Sequence, residues 1–451
     1  EEGLEPESYL PRSLAAYDVT IPEFDPGAMA RLDIELSAAA LKYARDASGG
    51  QFDPRRLSLY NDVTPGWVKP SQSIKVLAWS PYAVEYLRGL HPTHPAYAAM
   101  KAALAEIRKS AVGAPVIGPI ADGPIVKTGQ SDARVPDVRK RLVELGYADA
   151  EFAADDPEVL DADLSVQLRL FQKATGIKNS GLLGPQTVKA LNADHSAADE
   201  AKLLDNMERL RWLPKNLGAR YVFVNQPAFE VRVMDKGEAV WTSRVIVGKP
   251  TTQTSVFHDE METVVFNPSW GVPPSIISNE YLPKLRRDPG YLDRIGFKVV
   301  NSQGKVVRSS SVDWSSYGGK VPYGIQQPPG MKNALGELKF LFPNTHNIYM
   351  HDTPNRELFD NDVRAYSHGC VRVQNPREFA QVILGWDFSK IDEYTDSGKS
   401  QSIKLPVKVP VHITYFTAWP DETGKIAYFN DIYGRDKTME NARSAIVLAE
   451  R

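Results

Sequence analysis

The chain has 451 residues, with 53 basic and 56 acidic side chains and a net charge of −3. This near-neutral balance, without a long basic run, gives no support to a nucleic-acid partner. No apolar run approaches the roughly 20 residues of a membrane helix, so we expect no transmembrane segment, and the length predicts about two to four domains.

The N-terminal part of the chain predicts an extended arm and then a helical domain. Residues 1–27 are polar and contain prolines without periodicity, which is typical of an arm. Residues 28–120 carry apolar side chains at helical spacing, and the first helix is expected to stop at the Gly49-Gly50 pair. The predicted helical stretches begin at Met29 and cover about 82–90 and 97–109.

Residues 125–195 follow a Gly- and Pro-rich connector and contain three amphipathic segments. Their apolar residues recur on one face of each segment, which predicts a small three-helix bundle. Residues 196–218 are expected to form a helical linker.

From Arg220 onward the apolar period changes to two, which predicts a mainly-β domain over 219–451. The pattern breaks at about 271–326, where a long insertion beside a site is typical of a lid or cap. Tyr281, Trp314 and Tyr317 are candidates for lining this cap. The alternative is that these aromatic residues form the small core of the insertion itself.

Cys370 is the only cysteine in the sequence, and it lies in a polar turn with a histidine and a glycine. A lone cysteine is often just a small buried apolar residue. Here, however, Arg372 follows two positions later, and Tyr349 and His351 lie upstream. A cysteine with a histidine in reach is the minimal set for thiolate catalysis, and a nearby cation favours the thiolate.

These residues point to acyl transfer, with Cys370 as nucleophile and His351 as general base. Further candidates for oxyanion stabilisation or substrate positioning are Gly369, Tyr349, Arg372, Ser367 and His368. For Arg372 the alternative is a structural ion pair with Asp352 or Asp362.

The motif Tyr349-x-His351-Asp352-Thr353, followed by Ser367-His368-Gly369-Cys370-x-Arg372, resembles the signature of the L,D-transpeptidases with a YkuD-type catalytic domain. Fifteen residues separate His351 from Ser367, as in the family pattern. The run from Pro329 to Gly336 is similar to the large Gram-negative branch of the family. The resemblance implies that a backbone carbonyl near Asp352 orients the histidine and that the insertion caps the donor peptide.

Two further resemblances concern the helical parts. Leu145-Gly146-Tyr147, Phe171-Gln172, Gly176, Gly181-x-x-Gly184-x-x-Thr187 and Leu191-Asn192 resemble the peptidoglycan-binding domain type 1. The segment LKYARDASGGQFDP resembles the helical scaffold domain of the large L,D-transpeptidases. Together they imply a multidomain α+β protein, although the bundle would also serve as a mere spacer.

The resemblance implies a periplasmic enzyme that forms 3→3 cross-links between diaminopimelate residues of peptidoglycan. The donor would be a tetrapeptide stem and the acceptor a second diaminopimelate side chain. Carbapenems are expected to acylate Cys370, wall-synthesis proteins are possible partners, and neither a cofactor nor a metal is expected. Because the chain begins at Glu1 without a signal peptide, we expect a mature or trimmed form that lacks its signal or anchor segment.

Several alternatives share these residues. The same Cys/His pair serves an L,D-carboxypeptidase, an endopeptidase, or an enzyme that links outer-membrane protein to the wall. A non-catalytic wall-binding protein is disfavoured by the intact set of site residues. A zinc peptidase has no support, because no HExxH motif is present.

Overall fold

The computed structural model describes residues 2–11, 14, 26–111, 118–149, 152, 154–175, 177–192 and 195–450. Much of the predicted N-terminal arm, and Gly176 of the bundle motif, lie outside the described residues. Among the residues described, no helix combines the length and hydropathy needed to cross a bilayer.

The α-helices are numbered in chain order and joined in places by short 3-10 or π-helical turns. They are α1 (Pro26–Gly49), α2 (Pro54–Leu57), α3 (Pro70–Trp79), α4 (Ala83–Arg88), α5 (Pro95–Ala111), α6 (Val135–Glu144), α7 (Ala162–Ala174), α8 (Pro185–Leu191), α9 (His195–Trp212), α10 (Pro274–Ile276), α11 (Leu282–Arg287), α12 (Tyr291–Arg294), α13 (Pro376–Leu384), α14 (Phe388–Asp396) and α15 (Arg435–Glu450).

The strands are numbered in the same way. They are β1 (Arg220–Asn225), β2 (Glu230–Asp235), β3 (Glu238–Gly248), β4 (Phe257–Phe266), β5 (Trp270–Gly271), β6 (Lys298–Val300), β7 (Val306–Val307), β8 (Gly324–Gln327), β9 (Leu338–Leu341), β10 (Met350–His351), β11 (Ala365–Ser367), β12 (Val371–Val373), β13 (Gln401–Thr414), β14 (Ala418–Pro420) and β15 (Ile426–Tyr428).

The chain divides into two compact units. The first contains Glu1–Ser58, Thr64–Lys215 and Phe416–Arg451, and it is mainly helical. The second contains Leu59–Val63 and Asn216–Tyr415 and holds the large sheet. The predicted multidomain α+β class is confirmed.

In the first unit, α1, α4 and α5 lie within a few residues of the predicted helical stretches. The expected helix end at Gly49 is confirmed: Gly50 follows with φ +87°, a conformation that favours glycine. Helix α3 was not predicted, although Pro70 at its first position is a common helix start.

Helices α6, α7 and α8 form the expected three-helix bundle around an apolar core. Its fully buried side chains include Val135, Val138, Leu142, Leu164, Leu168, Phe171, Val188 and Leu191. Gln172 is also fully buried: its amide group donates to the Leu182 carbonyl at 2.8 Å and accepts from the Ser180 and Gly181 amides at 2.9 and 2.8 Å. The Phe171-Gln172 part of the motif therefore holds this bundle together.

The C-terminal segment corrects one predicted boundary, because Phe416–Arg451 belongs to the helical unit and not to the β domain. Strands β14 and β15 pair only with each other in the described sheets. The Thr417 amide donates to Asn206 of α9 at 2.9 Å, and Arg209 of α9 forms an ion pair with Asp436 of α15 at 2.7 Å. Strand periodicity in the sequence does not reveal the partner sheet.

The second unit is built on a nine-stranded sheet with the order β11-β3-β12-β10-β9-β4-β13-β1-β2. Strand β3 also pairs with β2, so that the sheet closes on itself. The alternation of apolar residues predicted from Arg220 onward matches this sheet, whose interior side chains are fully buried on β1, β3, β4 and β13.

The insertion lies between β5 and β8, which pair as Trp270 with Gln327 and Gly271 with Gln326. It contains α10 to α12 and a four-stranded sheet with the order β5-β8-β6-β7. We call residues 271–326 the cap, as predicted from the sequence. Trp314 is 1% exposed in the core of the cap, and its indole donates to the Ser309 carbonyl at 2.9 Å.

The short segment Leu59–Val63 lies with the β unit, although the sequence placed it in the helical domain. Asn61 pairs in parallel with Val256, and the Val256 amide donates to the Tyr60 carbonyl at 2.7 Å. A five-residue segment between helices has no sequence pattern strong enough to reveal such a pairing.

Candidate active site

Two short parallel strands bring the predicted base and cation together. Strand β10 pairs with β12, so that Met350 lies opposite Val371 and His351 lies opposite Arg372. The side chains of Met350 and Val371 are fully buried in the core. Because side chains alternate along a strand, His351 and Arg372 project from the other face of the sheet.

Tyr349 and Cys370 continue this register by one position. The Val371 amide donates to the Tyr349 carbonyl at 3.1 Å, and both the amide and the hydroxyl of Tyr349 form hydrogen bonds with the Cys370 sulfur. The Trp270 indole, at the base of the cap, donates in turn to the Tyr349 hydroxyl. Strand pairing thus gathers on one face four side chains that the sequence motifs had singled out.

The turn before Cys370 is fixed by hydroxyl groups. The Ser367 hydroxyl accepts from the Gly369 amide at 3.1 Å and donates to the Cys370 carbonyl at 2.5 Å. The Thr254 hydroxyl donates to the Gly369 carbonyl at 2.8 Å. Gly369 has φ +117°, which L side chains rarely adopt, so this turn requires glycine.

The hydrogen bonds in this turn change one expectation about the oxyanion donors. The Gly369 amide is already engaged by Ser367. Gly369 was a candidate for oxyanion stabilisation, but its amide is committed to a hydrogen bond within the turn.

His351 is held as a neutral imidazole. Its Nδ1 lies 2.5 Å from the Asp352 carbonyl oxygen, which is the kind of backbone orienter that the resemblance implied. Because a carbonyl only accepts, Nδ1 carries the proton and Nε2 carries the lone pair. Burial lowers the pKa of His351 to about 3, and the nearby cations Arg372 and Lys339 contribute to this lowering.

Asp352 is itself fixed on both sides. Its carboxylate accepts from the Glu337 amide at 2.9 Å and pairs with Arg356 at 3.2 Å. Gly336 has φ +58°, and a Cβ atom added there would lie 2.1 Å from Oδ2 of Asp352. The glycine at this position therefore leaves room for the residue that orients His351.

The thiol of Cys370 is half-buried, and its sulfur lies 3.8 Å from the Asn347 carbonyl oxygen. Burial raises the pKa of Cys370, while hydrogen bonds from Tyr349 and the charges of Lys339 and Arg372 act in the opposite direction. The resting site therefore holds a neutral thiol and a neutral imidazole, with groups in place that stabilise the thiolate once the proton leaves.

Arg372 is largely enclosed, and its Nε atom is buried without a hydrogen-bond partner. Within the described residues no carboxylate pairs with it, since Asp352 is engaged by Arg356. The alternative of a structural ion pair with Asp352 or Asp362 is therefore not seen among the described residues. The Arg372 guanidinium therefore faces the candidate active site with N–H groups available to a ligand.

Comparisons with known proteins agree with this geometry. Residues 219–413 match the family described as "L,D-transpeptidase catalytic domain". Residues 1–104 match the family described as "Scaffold domain", and residues 131–191 match the one described as "Putative peptidoglycan binding domain". Residues 219–413 of this chain belong to the L,D-transpeptidase (YkuD) catalytic-domain family.

A Haemophilus influenzae protein named "Putative L,D-transpeptidase" is 35% identical over 318 residues, covering 68% of this chain and 64% of that protein. The chain thus spans slightly less than two thirds of this relative. An L,D-transpeptidase from Mycobacterium smegmatis is 11% identical, covering 44% of this chain and 58% of that chain, with a TM-score of 0.22. A mutant of the Enterococcus faecium L,D-transpeptidase is 11% identical, covering 58% and 86%, with a TM-score of 0.23. At these sequence identities and TM-scores, the two solved structures support no inference about this chain.

The L,D-transpeptidase domain contains a site residue that the sequence analysis missed. Lys339 of β9 lies opposite His351, and its Nζ atom lies 3.8 Å from the centroid of the Tyr349 ring. Its neighbours Leu338 and Phe340 are fully buried in the core, so alternation alone indicates that Lys339 projects from the face that carries the site. The sequence feature that could have revealed Lys339 is a lysine flanked by two apolar core residues in an interior strand.

His368 lies at the edge of this group. Its Nε2 atom lies 2.7 Å from a carboxylate oxygen of Glu280 in the cap and 3.4 Å from the Lys249 ammonium. The contact with Glu280 suggests that His368 helps to hold the cap against the turn that contains Cys370.

The tentative cap residues divide into two kinds. Trp314 is enclosed in the cap core, so the prediction that it lines a ligand surface is wrong. Tyr281 and Tyr317 are partly buried and pack against that same core. Trp270, which the sequence did not single out, is the cap-base aromatic residue that contacts the site.

A cavity of about 280 Å³ opens beside the catalytic turn. It is lined by Leu59, Tyr60, Thr252, Gln253, Ser255, His346, Ile348, His368 and Gly369. All of these residues lie in the second unit. The cavity therefore offers an approach to Gly369 that the segment Leu59–Val63 helps to form.

The site chemistry is that of a thiol, an imidazole, two cations and a phenol. Among the residues that the structure describes, no group of three or more His, Cys, Asp or Glu side chains is arranged to hold a metal ion. The arrangement suits attack of sulfur on a carbonyl carbon, with the negative charge received by amide, phenol and cationic donors.

Proposed function

We propose that this chain is a peptidoglycan L,D-transpeptidase that forms 3→3 cross-links from tetrapeptide donor stems through an acyl-enzyme on Cys370. The proposal is supported above all by the shared face of β10 and β12, where Cys370 and His351 lie with Tyr349 and Arg372. The three matched domain families support a protein that acts on the wall. We accordingly propose a periplasmic location.

In the first half-reaction, the Cys370 thiol gives its proton to Nε2 of His351, and the sulfur attacks the carbonyl carbon of diaminopimelate in the donor. The oxyanion accepts hydrogen bonds from the Cys370 amide and from the Tyr349 hydroxyl. His351 then gives the proton to the leaving amine. Because burial and two cations disfavour imidazolium, the proton is transferred readily to D-alanine as it departs.

In the second half-reaction, the side-chain amine of another diaminopimelate attacks the thioester. His351 removes a proton from this amine, and the Cys370 thiol is regenerated when the new amide forms. The cavity beside Gly369 opens next to the turn that carries Cys370, and we propose that the acceptor enters there. A separate acceptor path favours transfer to an amine over transfer to water.

Mass spectrometry of products from disaccharide-tetrapeptide tests the proposal, with Cys370→Ala as the matched control. We expect a cross-linked dimer and free D-alanine from the wild type and neither from the variant. Tripeptide monomer alone would identify a carboxypeptidase. Equal product from both proteins would exclude Cys370 as the nucleophile.

A carbapenem offers a second test of the same nucleophile. The strained β-lactam carbonyl presents an acyl carbon that a thiolate attacks, so we expect the intact mass of the wild type to rise by one inhibitor molecule. The mass of Cys370→Ala should stay unchanged. An unmodified wild type at saturating inhibitor would count against the proposed acyl-enzyme chemistry.

A further inference from the structure

We propose that Lys339 binds the C-terminal carboxylate of the donor stem and thereby selects donors that end one residue beyond the bond to be cleaved. Arg372 adds a second positive charge to the same receptor. This inference rests on the proposed function and deepens it, because it names the part of the donor that the site recognises.

Strand register places both cations beside the catalytic histidine. Lys339 of β9 and Arg372 of β12 lie opposite His351 from its two sides, in one row across three neighbouring strands. The Lys339 ammonium leans over the ring of Tyr349, whose hydroxyl contacts the Cys370 sulfur. The ring of Tyr349 therefore separates the Lys339 ammonium from the Cys370 sulfur.

Neither cation has an anionic partner within the part of the chain that the structure describes. The two carboxylates nearest to Lys339 in sequence are already engaged: Glu337 pairs with Arg377 at 2.9 Å, and Asp352 pairs with Arg356 at 3.2 Å. Lys339 is largely enclosed, and its burial lowers its pKa. An enclosed cation without a counter-charge is unfavourable, so its presence at a catalytic face indicates an anionic ligand.

The connectivity of the donor identifies which anion this is. The carbonyl carbon that Cys370 attacks is bonded to the nitrogen of the leaving residue. The carboxylate of that residue is joined to the same nitrogen through a single carbon, so it must lie close to the sulfur when the donor is bound. Other carboxylates of the stem are separated from the reacting carbon by more bonds. A donor extended by one residue would present a neutral amide at this point.

The test compares two donors on three proteins. The donors are disaccharide-tetrapeptide with a free C-terminal carboxylate and the same compound as its C-terminal carboxamide. The proteins are the wild type, Lys339→Met, which keeps the length of the side chain without its charge, and Lys332→Met, in which an exposed lysine outside the site is changed. The measured quantity is kcat/KM for release of D-alanine or its amide.

For the wild type and for Lys332→Met we expect a preference of about 10- to 100-fold for the free carboxylate, as a charge-assisted hydrogen bond supplies. Lys339→Met should lower this preference to less than about threefold, mainly by slowing the carboxylate donor. Lys339→Arg should restore part of the preference, because it restores the charge.

Three outcomes would overturn the inference. The first is a preference in Lys339→Met equal to that of the wild type. The second is an equal loss on both donors together with a shifted pH profile of Cys370 alkylation by iodoacetamide, which would mean that Lys339 acts only on the thiolate. The third is a wild type without preference. A wild type that releases product from neither donor, while Cys370 is still alkylated, would instead refute the proposed function itself.

Discussion

Gly336→Ala tests whether Asp352 orients the catalytic histidine. An alanine at this position would adopt φ near +58°, which costs an L residue roughly 1–2 kcal/mol. Its Cβ atom would also lie 2.1 Å from Oδ2 of Asp352, so the carboxylate must move. Movement breaks the hydrogen bond from the Glu337 amide, and losing a hydrogen bond to a charged group costs about 1.5–3 kcal/mol.

The matched control is Gly385→Ala, at the end of α13. Gly385 has φ +65°, and an added Cβ atom would meet no atom within 4 Å. This variant therefore carries the backbone cost without displacing a neighbour. We expect it to lose about 1–2 kcal/mol of unfolding free energy, against about 2.5–5 kcal/mol for Gly336→Ala.

The two variants should also differ in activity. Displacing Asp352 moves the carbonyl that fixes Nδ1 of His351, and a misplacement of about 1 Å at a catalytic group lowers the rate by about 100-fold. We expect D-alanine release by Gly336→Ala to fall by about this factor, while Gly385→Ala stays near the wild type. Denaturant unfolding and product release measure the two effects. If the rates of the two variants agreed within twofold, Asp352 would not be the orienting residue.

Three further predictions concern protonation and the catalytic turn. Burial lowers the pKa of His258 to about 3, below its unfolded value of about 6.5, so the folded state loses stability as the pH falls below 6.5. Between pH 7 and pH 5 this loss of unfolding free energy is about 2 kcal/mol, and His258→Phe should remove it. An unchanged pH dependence of unfolding in this variant would contradict the prediction. Tyr349→Phe removes a group that lowers the pKa of Cys370, so iodoacetamide alkylation at pH 8 should slow by about fivefold, whereas faster alkylation would refute the hydrogen bond. Thr254→Val removes the donor to the Gly369 carbonyl. It should lower the unfolding free energy by about 1–3 kcal/mol and abolish most of the activity, which thermal melting and product release would measure. Full activity would show that the turn does not need this hydrogen bond.

The residues that we propose to carry the chemistry could be selected from the sequence alone. A single cysteine in a Gly-containing turn and a histidine at family spacing made Cys370 and His351 the candidates, and strand alternation predicted the sheet that carries them. These features depend on local pattern, which is what a single sequence records most directly.

Other parts of the site depend on pairing between distant strands, which no local pattern records. Lys339 joins the site only because β9 lies beside β10, and a lysine in a strand is ordinarily assumed to face solvent. The assignment of Trp314 to a ligand surface failed because an aromatic residue in an insertion packs a small core just as readily. The partners of Leu59–Val63 and of Phe416–Arg451 were likewise set by tertiary contacts.

Peptide mass mapping of the acyl-enzyme tests the central claim most directly. The wild type is incubated with disaccharide-tetrapeptide, quenched in acid within the first turnovers and digested. We predict an adduct equal to the donor less D-alanine on the peptide that contains Cys370, and no adduct on Cys370→Ala. Cross-linked product without this adduct, or an adduct on another residue, would contradict the account.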